Sequence, residues 1–240
     1  MLTVVKIGGG LARDCGSDAL RALCAAIGTA AGSHPLLVVP GGGGFADAVR
    51  VEDRHFGLRA STSHRMAALA MDQLGLLLGD LIPRAALCRG LDTVTALTDE
   101  GRAAVLLPAA LVLATTELPE SWDVTSDSIA TWVAGRAGAR RVVLLKSVGG
   151  LYRHRPGDGE PIRQLSPAGL AALQRSGQAA GVDSHFAAAV GAARVDAWVI
   201  GGDDPARLLE LLDTGETTGT HLPVTARHVS PASSHSSRDV

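Results

Sequence analysis

Residues 1–10 read MLTVVKIGGG, and this stretch decides the fold. Residues 2–7 form an apolar, β-branched run typical of a buried parallel strand, and three glycines follow it directly. Glycine adopts positive φ and lets a backbone approach a ligand closely, so this turn can point several N–H groups at an anion. Lys6 adds a mobile positive charge at the same place. The stretch predicts either a phosphate cradle or an ordinary glycine-rich turn between strand and helix.

The lysines of the chain are few and similarly placed. Two lysines, Lys6 and Lys146, stand against twenty arginines, and each lysine closes an apolar run shortly before a glycine pair. Two ammonium groups at strand ends, beside flexible turns, are what a charge-neutralising phosphate site needs. The lysine pattern therefore supports the phosphate interpretation.

The composition restricts the class of protein. A chain of 240 residues, 46 % of them hydrophobic, suffices for one large α/β domain or two tightly fused lobes. A net charge of −2 gives no electrostatic case for nucleic acid, and no apolar run is long enough for a membrane span. We expect no signal peptide. Three cysteines without metal-ligand spacing indicate reduced thiols, no metal site and a cytoplasmic protein.

A second glycine run follows the next apolar stretch. Residues 36–39 predict a buried strand, and four glycines at positions 41–44 precede a predicted helix over residues 45–55. Such a run suits close backbone approach at a helix N-terminus, where anions are favoured, although a merely flexible loop is the alternative. The spacing is not that of a Walker loop. A dinucleotide fold also lacks its acidic residue at the end of a second strand.

The rest of the chain alternates apolar runs with helical patterns. We expect helices over residues 17–31, 61–81 and 166–175, strands over residues 140–146 and 197–200, and two or three short strands within residues 92–118. This alternation predicts an α/β fold with a largely parallel sheet covered by helices on both faces, and ligands bind such sheets at the carboxyl ends of their strands. Another helix begins at Thr125 or Ser126. The Ser-rich residues 226–240 predict a disordered tail.

With these blocks in order, the sequence resembles the amino acid kinase family over about residues 2–222. The resemblance rests on five motifs in the family's order: K-x-G-G at residues 6–9, the glycine turn at residues 41–44, the aspartate Asp127 within TSDSIA, a D-G-[IV]-Y-like turn at residues 148–152, and a G-x-x-x-G-T motif at residues 215–220.

The resemblance implies a three-layer αβα sandwich with an open, largely parallel central sheet. It implies one kinase-like domain over residues 1–225, in which an acceptor lobe spans residues 1–138 and a lobe binding ATP with Mg²⁺ spans residues 139–225. Catalysis would fall to Lys6 and to Asp127, which would orient Lys6 through an ion pair. The other implied site residues are Gly8, Gly9 and Gly10 at the transferred phosphoryl group, and Lys146, Ser147, Gly150 and Tyr152 along the nucleotide.

The acceptor side is implied less sharply. Gly42, Gly43 and Gly44 would face the acceptor, together with Arg50, Thr125, Ser126 and Asp183. Arg50 and Arg54 follow the glycine run on one helix face, where each is either a phosphate ligand or a solvated side chain. The roles of His64 and His185 stay open.

Two departures from the family pattern bear on the acceptor. Position 149 is glycine where the family turn carries an acid, and no lysine lies near Asp183, where acetylglutamate kinases have their second one. The missing lysine argues against a carboxylate acceptor and favours a phosphate monoester.

Residues 49–75 and 121–132 are similar to the furan-methyl phosphate kinases of methanofuran-type cofactor synthesis. This resemblance implies an acceptor with an ammonium group, for which Asp183, Asp123 and Asp72 are the candidate carboxylates. The alternatives are a kinase for uridylate, isopentenyl phosphate or an amino acid, or a non-catalytic protein that binds nucleotide or oxyanions. The family also implies a homo-oligomer.

Overall fold

A computed structural model describes residues 1–155, 159–178 and 181–224. Within these ranges a seven-stranded sheet has the order β3-β4-β2-β1-β5-β6-β7. The strands are β1 (Thr3–Ile7), β2 (Leu36–Pro40), β3 (Ala86–Cys88), β4 (Ala104–Leu106), β5 (Arg141–Lys146), β6 (Asp196–Gly201) and β7 (Thr220–Leu222). The helices are α1 (Leu11–Asp14), α2 (Gly16–Ala30), α3 (Gly43–Phe56), α4 (Ala60–Leu81), α5 (Val94–Asp99), α6 (Ala109–Ala114), α7 (Ser126–Arg136), α8 (Pro167–Arg175), α9 (Phe186–Ala193) and α10 (Pro205–Thr214).

Strand β1 lies in the middle of the sheet. It pairs in parallel with β2 on one side and β5 on the other, so that Val5 lies between Val38 and Val143. All five residues of β1 are buried because helices cover both faces of the sheet, which explains its continuous apolar character. Only β7, at one edge, runs antiparallel to its neighbour among the described strands. The carboxyl ends of β1, β2 and β5 consequently meet at one edge, where both glycine turns lie.

Two apolar layers hold the helices onto the sheet. On one face, Val5 and Ile7 pack with residues of α2 and α10, including Leu23, Ile27 and Leu208. On the other face, Val4 and Leu37 pack with residues of α7 and α9. The expected αβα arrangement is therefore confirmed.

The segment between residues 92 and 118 differs from the expectation. Instead of two or three strands, it contains helices α5 and α6 around the three-residue strand β4. The run AAVLLPAALVLA is apolar throughout, and periodicity cannot separate a short buried helix from a short strand in such a run. Pro108 then sits at the N-cap of α6, a place that suits its restricted φ. The short strands β3 and β7 were not anticipated.

Helix α4 is present as expected, but its apolar stripe is buried only in part. Helical spacing predicts that Leu69, Ala70, Leu74 and Leu77 share this stripe; Ala70 and Leu74 are buried, whereas Leu69 and Leu77 are exposed. Ser63 and His64 are buried instead. A homo-oligomer stays a prediction. Among the described residues no helix combines the length and apolarity needed to cross a membrane. The predicted tail over residues 226–240 lies outside the described residues.

Candidate active site

A buried cation and a half-buried one lie on neighbouring strands and share one carboxylate. Lys6 is on β1 and Lys146 ends β5, while Asp127 stands in the first turn of α7. The Nζ of Lys6 is 2.7 Å from Oδ1 of Asp127, and the Nζ of Lys146 donates to Oδ2 at 2.6 Å. The predicted ion pair between Lys6 and Asp127 is present. Its extension to Lys146 was missed, because strand pairing rather than chain proximity brings the two lysines together.

The electrostatics of this triad follow from its burial. Burial lowers the pKa of Lys6 to about 8, although Asp127 works in the opposite direction. Burial alone would raise the pKa of the Asp127 carboxyl, but Lys146 and Lys6 outweigh it and hold that pKa below its ordinary value. Two ammonium groups and one carboxylate leave one net positive charge, which an incoming phosphate can neutralise.

The two glycine turns touch each other beside this triad. A Cβ on Gly9 would overlap the backbone of Gly43, and a Cβ on Gly8 would lie 2.8 Å from the Leu145 carbonyl oxygen and 3.5 Å from Nζ of Lys6. Gly43 has φ of +55° and begins α3. Glycine is therefore required where the two backbones meet. The first N–H groups of α3 have no acceptor within the helix, and such a helix N-terminus favours the binding of an anion.

The turns, α3, α4 and the start of α7 enclose a cavity of about 190 Å³, which we call the acceptor chamber. Of the expected site residues, seven line it: Gly9, Gly10, Gly42, Gly43, Arg50, Thr125 and Ser126. Gly44 and Arg54 do not line it, although both sit on the same helix. Arg13, Asp47, His64 and Trp122 line it as well, of which Arg13, Asp47 and Trp122 had no motif to mark them.

The cations at the mouth of the acceptor chamber share a second carboxylate. Asp47 accepts hydrogen bonds from Nη1 of Arg13 and from Nη1 of Arg50, each at 2.8 Å. The Arg50 guanidinium also lies 4.7 Å from the centre of the Trp122 ring. Arg50 is therefore held at the chamber mouth by a charge on one side and an aromatic face on the other.

The three carboxylates expected to bind an ammonium group are engaged elsewhere. Asp183 caps α7, because its Oδ2 accepts from the N–H groups of Thr125 and Ser128, both at 3.0 Å, and from the Thr125 hydroxyl. Asp123 accepts from the Ser184 hydroxyl, and Asp72 accepts from the first N–H of α6. None of the three lines the acceptor chamber.

On the nucleotide side, the expected residues form a compact turn. Ser147 donates to Oδ2 of Asp14 at 2.8 Å, and the N–H of Leu151 donates to the Thr220 hydroxyl at 2.8 Å. A Cβ on Gly150 would come within 2.9 Å of that hydroxyl oxygen, which explains the glycine. Tyr152 is buried beside it. The contacts of these residues with ATP stay predictions.

The residues present fit a polyphosphate better than a protein-held metal. Two ammonium groups and glycine N–H groups are phosphate donors. Within residues 1–155, 159–178 and 181–224, no group of His, Cys, Asp or Glu has the arrangement of a metal site.

A cleft at the carboxyl ends of a parallel sheet, with two lysines beside glycine turns, defines an α/β protein that handles phosphate. Residues 1–200 match the model of the amino acid kinase family. The chain belongs to the amino acid kinase family, whose members are phosphotransferases.

Individual relatives agree with this assignment. The chain is 28 % identical over 215 residues, covering 88 % of this chain and 92 % of the relative, to [5-(aminomethyl)furan-3-yl]methyl phosphate kinase of Methanocaldococcus jannaschii. Uridylate kinase of Archaeoglobus fulgidus superposes with a TM-score of 0.71 at 21 % identity, covering 92 % of this chain and 99 % of that one. UMP kinase of Ureaplasma parvum gives 0.70 at 15 % identity, covering 93 % and 99 %. The two structural likenesses concern the fold.

Proposed function

We propose that this protein is an ATP-dependent kinase that phosphorylates a phosphate monoester, [5-(aminomethyl)furan-3-yl]methyl phosphate, to the diphosphate. The observation that carries the proposal is the pair of lysines bridged by Asp127 next to the acceptor chamber. The named relative supports the choice of acceptor. The step belongs to methanofuran-type cofactor synthesis.

The chain's own residues supply positioning and charge neutralisation. Lys6 and Lys146, held by Asp127, face the migrating phosphoryl group, while the glycine N–H groups bind the oxygens of both phosphates. An oxygen of the acceptor phosphate attacks the γ-phosphorus of ATP, and the bond to the β-phosphate oxygen breaks to release ADP. The attacking oxygen is already ionised, so no general base is needed.

Turnover with candidate acceptors tests the proposal. Incubation with MgATP and the furan-methyl phosphate should give ADP and the diphosphate in equal amounts. UMP and isopentenyl phosphate serve as competing acceptors. If only UMP or isopentenyl phosphate is phosphorylated, the proposed acceptor is wrong and the proposed kinase activity is supported.

Substitution of Lys6 separates a kinase from a protein that only binds nucleotide. Lys6→Ala should lower kcat by about 10²–10³-fold, because the charge acts on the transition state. Arg21→Ala removes an exposed cation on α2 and is the matched control. A loss of nucleotide occupancy without any wild-type turnover would identify a binding protein instead.

A further inference from the structure

A second cavity adjoins the acceptor chamber. This cavity, of about 250 Å³, shares four lining residues with the acceptor chamber: His64, Ala67, Trp122 and Val124. Asp53, Ser63 and Leu58 line only the second cavity. A ligand whose phosphate lies at the glycine turns can therefore extend past Trp122 towards Asp53.

Helix α3 sets the distance between the two ends. Gly43 and Asp53 are ten residues apart on this helix, which places them about 15 Å apart along its axis. Hydrogen bonds of about 3 Å at each end leave roughly 9 Å between the two recognised ligand groups. Asp53 is three residues after Arg50 and seven after Ala46, so it continues the stripe that lines the acceptor chamber.

The far end offers hydrogen-bond acceptors. Oδ2 of Asp53 accepts from Nε1 of Trp122 at 2.7 Å, which leaves further lone pairs on the carboxylate. The Ser63 hydroxyl is buried, with Ser63 only 2 % exposed, and lies close enough to Asp53 to lower the pKa of that carboxyl. Its oxygen has two acceptor lone pairs, so it can also accept a hydrogen bond from a ligand.

The Asp53 carboxylate attracts a cation here, opposed by the nearby guanidinium of Arg54. Burial lowers the pKa of His64, which keeps its ring neutral at neutral pH. The Trp122 indole, and after it Ser63, lower the pKa of Asp53, which keeps this carboxylate charged. The walls between the two ends are apolar, including Ala67 and Val124.

We propose that Asp53, with Ser63 and Trp122, forms a subsite for a primary ammonium group carried by the acceptor at the end opposite its phosphate. An ammonium has three donors and no acceptor, which matches a carboxylate and a hydroxyl oxygen. The inference rests on the proposed function, in that the acceptor's phosphate occupies the glycine end. It makes the preferred substrate class a phosphate monoester bearing an amine, and it replaces Asp183, Asp123 and Asp72 as the ammonium partner.

Two probes and one substitution test this subsite. The full chain without nucleotide is titrated calorimetrically with [5-(aminomethyl)furan-3-yl]methyl phosphate and with (5-methylfuran-3-yl)methyl phosphate, which lacks the amine. The wild type should bind the probe with the amine about 10–100-fold more tightly than the probe without it. Asp53→Asn keeps a hydrogen-bond acceptor for Trp122 but removes the charge, so it should cut this preference to within about threefold. Binding of the amine-free probe should not change.

Glu52→Gln is the matched control, because it removes a carboxylate from the exposed side of the same helix. It should keep the wild-type preference. The subsite is overturned if the wild type binds both probes equally or binds neither, or if Asp53→Asn weakens both alike. ADP formation is measured on the same preparations. If the wild type prefers the probe with the amine but forms no ADP, the proposed kinase activity is refuted and the subsite is supported. If it forms ADP but binds both probes equally, the subsite is refuted and the kinase activity is supported.

Discussion

At the scale of single residues, Asp127 controls the spacing of the two ammonium groups. Each of its oxygens lies within 2.7 Å of one lysine nitrogen, and the carboxylate is almost fully buried. Two ammonium groups without this counter-ion would repel each other in a low-dielectric site. The same arrangement prepares the site for phosphate, since a bound anion adds the negative charge that Asp127 alone does not supply. Charge balance is thus completed by substrate.

The lowered pKa of Lys6 predicts an alkaline limit to activity. Above about pH 8 the free enzyme loses the Lys6 proton, so kcat/KM should fall there, while kcat should fall only at higher pH because bound phosphates favour the ammonium. A pH–rate profile from pH 6 to 10 measures both limbs. Lys6→Arg, whose guanidinium does not titrate in this range, should lack the limb whatever its rate.

The lowered pKa of Lys6 also affects stability, which should rise with pH in the range where kcat/KM falls. The pKa of Lys6 is about 8 in the folded chain against 10.5 for an unperturbed lysine, so the unfolded state holds more protons between these values. The contribution of Lys6 to the free energy of unfolding should therefore rise between pH 8 and 10.5. In the pH–rate profile described above, a kcat/KM that stays constant up to pH 9.5 would contradict the assignment of the alkaline limit to Lys6.

At the scale of elements, the contact between the two glycine turns fixes the site. Gly9→Ala should lower kcat/KM at least tenfold and reduce Tm, because the new methyl group would overlap the backbone of Gly43. Gly44→Ala is the control, since a Cβ there meets nothing within 4 Å. It should stay within about twofold of wild type in steady-state assays. An equal loss in both variants would show that Gly44 faces the acceptor after all.

The cap of α7 comes from a residue far along the chain. Asp183→Ala removes the acceptor for the N–H groups of Thr125 and Ser128, and should cost about 1–2 kcal/mol of unfolding free energy. It should also lower kcat at least tenfold, because Asp127 stands in the turn that loosens. Ser166→Ala removes the cap of α8 instead and should cost comparable stability with kcat unchanged. Denaturant titration and steady-state rates measure the two effects; unchanged kcat in Asp183→Ala would refute the coupling.

Elements with strong local signals could be predicted from the sequence, and elements without them could not. Strands β1, β2, β5 and β6 are apolar runs followed by glycine or lysine, and the structure confirms them. The three-residue edge strands have too few residues for a period. The residues of the candidate site fall into the same two groups. Local motifs marked Lys6 and the glycine turns, whereas Asp53 and Trp122 are 69 residues apart and meet only through packing.

At the scale of the whole molecule, one sheet runs through both predicted lobes. β1 belongs to the acceptor lobe by sequence, yet it pairs along its whole length with β5 of the nucleotide lobe. Lys6 lies one residue before the end of β1 and Lys146 ends β5, and Asp183 of the nucleotide lobe caps a helix of the acceptor lobe. Separating the lobes would therefore break the sheet, the cap and the ion pairs of Asp127 with the two lysines together.

This continuity predicts that the lobes unfold as one unit. Trp122 lies in the acceptor lobe and Trp198 in β6 of the nucleotide lobe. Variants that keep only one of these tryptophans, the others changed to Phe, should report coincident denaturant midpoints that agree with circular dichroism. MgADP at 100 times its Kd should shift both curves by the same amount, about 2.7 kcal/mol, because ligand binding to one lobe stabilises the shared folded state. If MgADP moved the Trp198 transition while the Trp122 transition stayed in place, the lobes would be independent, and the continuous sheet would not be the source of their cooperativity.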